Sequence, residues 1–234
     1  MQAAVVLQAR FGSSRLPGKV LARIGQSTLL EHCIRRLACA GLPVIVATTE
    51  RPDDDAVARE AEAYGVEVFR GAELDVLARY LAAARAYALT HVVRATADNP
   101  FVDSGAVERV LVQMAGTDVD HAGEGGLPIG AGVEGVRVEA LQRASVLSSD
   151  PYDHEHVTPF IRRDARFRSV HVMAPHELRR ADLRLTVDTA DDLAHARRLH
   201  AELGGDVLAP LAAVIAAADR LAATGVGQPV MQGA

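Results

Sequence analysis

The sequence predicts an α/β fold: a mostly parallel sheet with helices on both faces. Two observations carry this. β-branched apolar runs alternate with amphipathic helical patterns through the first half of the chain, as β-α-β-α-β-α-β-α. The runs are continuous rather than alternating apolar and polar, which suits strands covered on both sides. In such sheets ligands bind at the carboxyl ends of the strands. A loop rich in cations and glycine follows the first strand, where a backbone can present N–H groups to phosphate.

Residues 3–7 form the first strand. The loop Gln8-Ala9-Arg10-Phe11-Gly12-Ser13-Ser14-Arg15-Leu16-Pro17-Gly18-Lys19 follows it. Although the 234-residue chain has a net charge of −5, residues 1–30 contain no Asp or Glu. Lys19 is the only lysine, and the other 24 basic side chains are arginine. An ammonium on a flexible stem differs chemically from a flat guanidinium fork, so its retention here marks the loop. The Walker spacing is absent: five residues separate Gly12 from Gly18, and Val20 follows the lysine.

Thr28, with Glu31 three residues on, opens a helix over residues 29–40. Residues 43–49 are the next strand. Asp53, Asp54 and Asp55 start a helix, where acidic side chains oppose the helix dipole. Residues 66–69 form a short strand, and an amphipathic helix spans 74–88 through Leu74, Leu77, Leu81 and Ala84. Residues 91–97 form a buried strand ending at Asp98, and Asp103 with Ser104 caps a helix to residue 114. After residue 116 the alternation stops. Seven Gly or Pro residues between 123 and 135 predict a loop beside a site. A strand over 136–138, a helix over 139–147, a polar loop over 153–160 and a strand over 167–173 follow. A strand over 183–187 ends at Asp188. Thr189 with Asp192 caps a helix to residue 203, and a last helix spans 207–223. The expected organisation is one domain, 1–223, with 117–175 as an acceptor-side and dimerisation segment, and a flexible tail over 224–234.

Several function classes are disfavoured. No apolar stretch approaches the ~18 residues of a membrane span. The N-terminus lacks the charged-then-apolar layout of a secretory signal. Cys33 and Cys39, six apart on one predicted helix, do not share a face, so no disulfide is expected and a cytoplasmic location fits. A net negative chain without basic blocks is a poor nucleic-acid binder. A zinc reading of His154 and His156 finds no further ligands at suitable spacing. Without a G-x-S-x-G elbow, Ser13 and Ser14 are weak nucleophile candidates.

Asp98 and Asp188 share one context: each closes a predicted buried strand just before a capped helix. With the basic loop at the end of the first strand, two carboxylates converge on a cationic cradle. Such oxygen ligands suit Mg²⁺ held jointly with substrate phosphates.

These residues resemble the CMP-sugar synthetases, the acylneuraminate cytidylyltransferase family. The loop from Gln8 to Leu21 resembles that family's signature. Its spore coat polysaccharide biosynthesis branch is resembled by further stretches. These are residues 70–80, Arg94-Ala95-Thr96-Ala97-Asp98-Asn99-Pro100, Glu155-His156-Val157-Thr158-Pro159-Phe160 and residues 183–193. The matches keep family order over most of the chain. Phe11 replaces the usual methionine, and His154 stands where the branch commonly has arginine.

The resemblance implies a three-layer α/β/α, Rossmann-like (GT-A-like) nucleotidyltransferase fold. It implies CTP as co-substrate, Mg²⁺ and a homodimer, with transfer of CMP to a sugar-acid, sugar-phosphate or phosphonate acceptor. The nucleotide set is then Gln8, Ala9, Arg10, Gly12, Ser13, Ser14, Arg15 and Lys19, with Thr48, Arg94 and Thr96. Lys19, Arg15 and Asp98 are the catalytic candidates, and Asp98 and Asp188 the metal ligands. Glu134, His154, Glu155 and His156 are acceptor-side candidates, with Arg162 beside them. Two other functions remain open on the residues alone: a nucleotide-sugar-dependent glycosyltransferase and a non-catalytic nucleotide-binding protein.

Overall fold

The computed structural model describes residues 1–115 and 118–224; of the expected tail over 224–234, residues 225–234 lie outside the described residues. The chain opens with β1 (Ala3–Gln8), and a 3-10 turn over Lys19–Leu21 closes the basic loop. The small hairpin β2 (Arg23–Ile24) and β3 (Ser27–Thr28) leads into α1 (Leu29–Ala38). Then come β4 (Val44–Thr49), α2 (Asp55–Ala63), β5 (Glu67–Gly71), α3 (Val76–Ala86), β6 (His91–Thr96) and α4 (Ser104–Met114). The second half holds β7 (His121–Gly125), β8 (Glu134–Arg137), α5 (Val138–Leu147), α6 (Pro151–His156), α7 (Pro159–Arg163) and β9 (Ser169–Met173). It ends with α8 (Ala190–Glu202) and α9 (Leu211–Ala223).

The sheet order is β5-β4-β1-β6-β8-β7-β9. β5, β4, β1 and β6 are parallel, β8 runs antiparallel to β6 and β7, and β9 pairs parallel to β7. Strand pleating sends Val5 and Leu7 to one face and Val6 to the other. The first face packs against α1, α2, α4, α8 and α9; the second packs against α3, α5 and α7 around Tyr80 and Leu141. The result is three layers.

Most expected elements form, with shifts explained by their ends. Thr28 accepts the Glu31 amide and caps α1. Thr189 and Asp192 form a full capping box on α8. Leu74 is 82% exposed because α3 starts only after its cap, Asp75. The last helix starts at Leu211, behind Pro210, rather than at 207. Part of the glycine-rich stretch pairs as β7, and the expected loop over 153–160 folds as α6 and α7, each opening on a proline. Both cysteines are free.

Residues 183–187 do not join the sheet. Leu183, Leu185 and Val187 are buried, which explains their strand-like pattern. Their partners are instead Ile129, through a single bridge and two amide bonds, and the Asp98 carbonyl, which accepts the Val187 amide at 2.8 Å. This rib delivers Asp188 to the end of β6. Gly130 makes the close approach possible. It sits at φ 92°, and a Cβ there would lie 2.7 Å from the Thr186 amide nitrogen. Gly130→Ala is therefore expected to lower the unfolding free energy by about 1–3 kcal/mol, read from urea melts.

Candidate functional site

The site is built on the basic loop. After β1 the Phe11 amide donates to Asp54 Oδ1 at 2.6 Å, and the Thr49 hydroxyl donates to the other Asp54 oxygen. Asp54 was expected to cap α2, but its side chain pins the loop instead. The Phe11 carbonyl accepts the amides of Ser13 and Gly18, at 2.9 and 2.8 Å, which folds the loop back on itself. Gly18 has φ 71°, and a Cβ there would meet the Phe11 ring at 2.9 Å. Among the described residues the amides of Gly12 and Ser14 have no protein acceptor, so they stay available to an anion.

The turn at Lys19–Leu21 drives the Lys19 side chain inward. Its ammonium donates to the Val187 carbonyl at 2.7 Å, Asp188 Oδ1 at 2.9 Å and Asp98 Oδ2 at 3.3 Å. Thr96 donates to Asp98 Oδ1 at 2.7 Å, and the Asn99 amide donates to Thr96 Oγ1. Arg15 and Arg184 also reach Asp188, at 3.0 and 2.5 Å. Burial pushes the Asp188 carboxyl up, but the Lys19 hydrogen bond and the charges of Lys19, Arg15 and Arg184 outweigh it. The net direction is below the usual carboxylate range.

A cleft of about 370 Å³ opens above this cluster. The structure places Gln8, Ala9, Arg10, Ser13, Ser14, Arg15 and Lys19 on its loop side. Across it stand Arg94, Thr96, Asp98 and Asp188, with Glu155 and His156 at one wall. Arg10 lies 3.7 Å from Glu155 and half closes that wall. Gly12, Thr48, Glu134 and His154 do not line the cleft. Thr48 is wholly buried within β4. His154 has both ring nitrogens engaged, by Asp75 and the Ser148 carbonyl. Arg162 lies away from the cleft, 3.8 Å from Glu134. Two groups escaped the sequence reading: Asp54, whose side chain leaves its helix, and Arg184, inside what read as a strand. Neither carries a local signal, since both act on segments far away in sequence or across a non-sheet turn.

Asp98 and Asp188 face each other across one ammonium, so their oxygens can share a small cation. Among the described residues no three His, Cys, Asp or Glu side chains group to hold a metal alone. Two hard carboxylates that need further oxygens from a bound phosphate match the donor set of a substrate-completed divalent site.

Glu134 is a half-buried anchor behind the cleft. It accepts from Arg94 at 2.9 Å and from Thr158 at 3.0 Å, and lies 3.1 Å from His121 Nε2. Burial pushes its carboxyl up; His121, Arg94 and Thr158 together reverse this and bring it down to about 2. A depressed carboxyl contributes stability above its unfolded value of 4.5, and that contribution is lost as pH falls towards about 2. Glu134→Gln is expected to cost about 3 kcal/mol at pH 7, a difference from wild type that shrinks as denaturant melts are moved into acid below pH 4.5.

The chain matches the cytidylyltransferase family model over residues 4–213. It is 32% identical over 208 residues to the spore coat polysaccharide biosynthesis protein SpsF of Bacillus subtilis, covering 85% of this chain and 86% of that protein. It is 35% identical over 117 residues to a 3-deoxy-manno-octulosonate cytidylyltransferase of Anaeromyxobacter dehalogenans, about half of each chain (48% and 47%). The solved structure of a cytidylyltransferase from Leptospira borgpetersenii superposes with a TM-score of 0.88 at 26% identity, covering 99% of this chain and 100% of that one. The layered sheet, the loop geometry and these likenesses lead to one conclusion: the chain belongs to the cytidylyltransferase family.

Proposed function

We propose that the protein transfers CMP from CTP to a sugar-acid acceptor and releases pyrophosphate. The observation that carries this is the Lys19 ammonium held between Asp98 and Asp188 at the mouth of a loop with free amides. The family supports the cytidylyl donor. The name of one relative supports a 3-deoxy sugar acid as the class of acceptor.

In this reading the triphosphate lies along the loop. The Ser14 amide and the Arg10 and Arg15 guanidinium groups receive its oxygens. An acceptor hydroxyl oxygen attacks the α-phosphorus and gives its proton to solvent. The bond from that phosphorus to the bridging oxygen breaks, and pyrophosphate departs with the electron pair. The chain supplies no covalent partner; positioning and charge stabilisation lower the barrier. Lys19 reaches the carboxylates and the phosphate side of the cleft alike, so it can neutralise charge that develops on the leaving group. Mg²⁺, held by Asp98 and Asp188 together with phosphate oxygens, would supply further charge neutralisation at the triphosphate. Arg94, fixed by Glu134, stands at the acceptor side with Glu155 and His156.

The proposal extends to a cytoplasmic homodimer. Supporting self-association, β9 is a free sheet edge, and Met173 on it and Val112 on α4 are exposed apolar side chains. Size-exclusion chromatography with light scattering should give twice the mass of one chain.

Pyrophosphate release from CTP with Mg²⁺ and a panel of sugar acids, sugar phosphates and phosphonates tests the chemistry. Lys19→Ala and Asp98→Ala are each expected to lose at least about 100-fold in kcat while remaining folded. Undiminished release removes that residue from the mechanism. Thermal stabilisation by a UDP-sugar but not by CTP would favour a glycosyltransferase instead.

A further inference from the structure

α6 is only six residues long, yet it carries Glu155 and His156 into the cleft. A helix this short has little stability of its own. It ends at Val157, which is buried and held at φ 73°, a conformation a β-branched residue keeps only when its surroundings impose it. His154 supplies the grip on the other side. Its Nδ1 is 2.8 Å from Asp75 Oδ2, and its Nε2 is 2.9 Å from the Ser148 carbonyl oxygen. Asp75 Oδ1 meanwhile accepts the Ala78 amide at 2.8 Å and caps α3, whose first residue, Val76, also lines the cleft. A carbonyl oxygen can only accept, and a capping carboxylate accepts too. Both ring nitrogens must therefore donate, and only the imidazolium can do that.

We propose that His154, as its imidazolium, is a positioning residue that ties α6 to the start of α3 and so sets the cleft wall made by Glu155, His156 and Val76. This rests on the transferase reading above and makes transfer sensitive to alkaline pH.

The surrounding charges agree. Asp75 faces the ring from α3, and Asp153 precedes it on α6, with Asp150 at the helix cap. Arg163 of α7 is bound to both oxygens of Asp153, so its charge is already matched. Arg79, further along α3, turns its Nη1 to the carbonyls of Ala72 and Glu73. Glu155 and His156 continue α6 on the cleft side. The Ser148 carbonyl bond, followed by Asp75, holds His154 above the ordinary histidine value of 6.5. For a raised group the contribution is complete below the unfolded value and is lost as pH rises through the folded one, so the grip fails on the alkaline side.

The test is kcat/KM for pyrophosphate release across roughly pH 6 to 10 for wild type, His154→Gln, His154→Arg and Asp75→Asn, with melting temperatures in parallel. Asparagine keeps the cap on α3 through Oδ1, but it removes the charge and turns the atom facing His154 Nδ1 from an acceptor into a donor, which pairs only with the neutral ring. Wild type should fall about tenfold along an alkaline limb, less than the ~100-fold that a 1 Å displacement of reacting groups can cost. His154→Gln should start about tenfold low with that limb gone, and Asp75→Asn, which pairs with the neutral ring, should lose the limb as well. His154→Arg, a permanent cation, should keep activity and lose the limb. An unchanged profile in both neutral variants overturns the proposal. An NMR titration of wild-type His154 gives a reading independent of catalysis: a midpoint above 6.5 supports the grip, and one at or below it overturns it. If wild type releases no pyrophosphate with any acceptor, the transferase reading falls and the NMR midpoint decides alone.

Discussion

A buried ammonium is the constraint around which this molecule is arranged. Lys19 is 8% exposed, and a cation taken out of water needs close hydrogen-bond acceptors, carboxylates above all. It finds them in Asp98, Asp188 and the Val187 carbonyl, from segments up to 169 residues away. Satisfying this one side chain requires β1 beside β6 and the rib over 183–187 laid across the end of β6. The sheet order and the Val187 amide bond to Asp98 provide both. The arrangement that stabilises the lysine is the one that presents paired carboxylates to a ligand.

The loop is prepared in the same way. Asp54 fixes its entry and the Phe11 carbonyl gathers two of its amides, while others stay open. Preorganised N–H groups and cations lose little freedom when an anion arrives, which is where electrostatic sites gain their advantage over water. Asp188 shows the balance. Three cations surround it, so its negative charge persists despite burial, and the loop keeps its shape without being neutralised. A chain of net charge −5 has confined its acidic groups near the cleft to positions that already hold a cation.

Beyond β6 the sheet turns mixed, and the polar groups become interlocked rather than free. Glu134 on β8 fixes Arg94 on β6 while tying in β7 through His121 and the start of α7 through Thr158. α6 hangs between this network and the cap of α3. The cleft wall carrying Glu155 and His156 is therefore set by how short elements are held, rather than by side chains of a regular strand.

Much of this was legible in the chain itself. Continuous β-branched runs, Thr28 with Glu31 and Thr189 with Asp192 announced buried strands and capped helices, because those signals are local. The acid-free loop with the lone lysine, and two aspartates closing apolar runs, pointed to the same cleft for a chemical reason: opposite charges beside the same ligand. The placement of Thr48, Glu134 and His154 was decided only in three dimensions. Thr48 sits in a strand covered on both faces, and the partners of Glu134 and His154 lie 6 to 79 residues away. Leu183, Leu185 and Val187 alternate like a strand because burial imposes the pattern, while only the tertiary fold decided that their hydrogen bonds go to Ile129 and Asp98 instead of a sheet neighbour. Local sequence sets which faces avoid water; which polar groups then meet depends on closure of the whole chain.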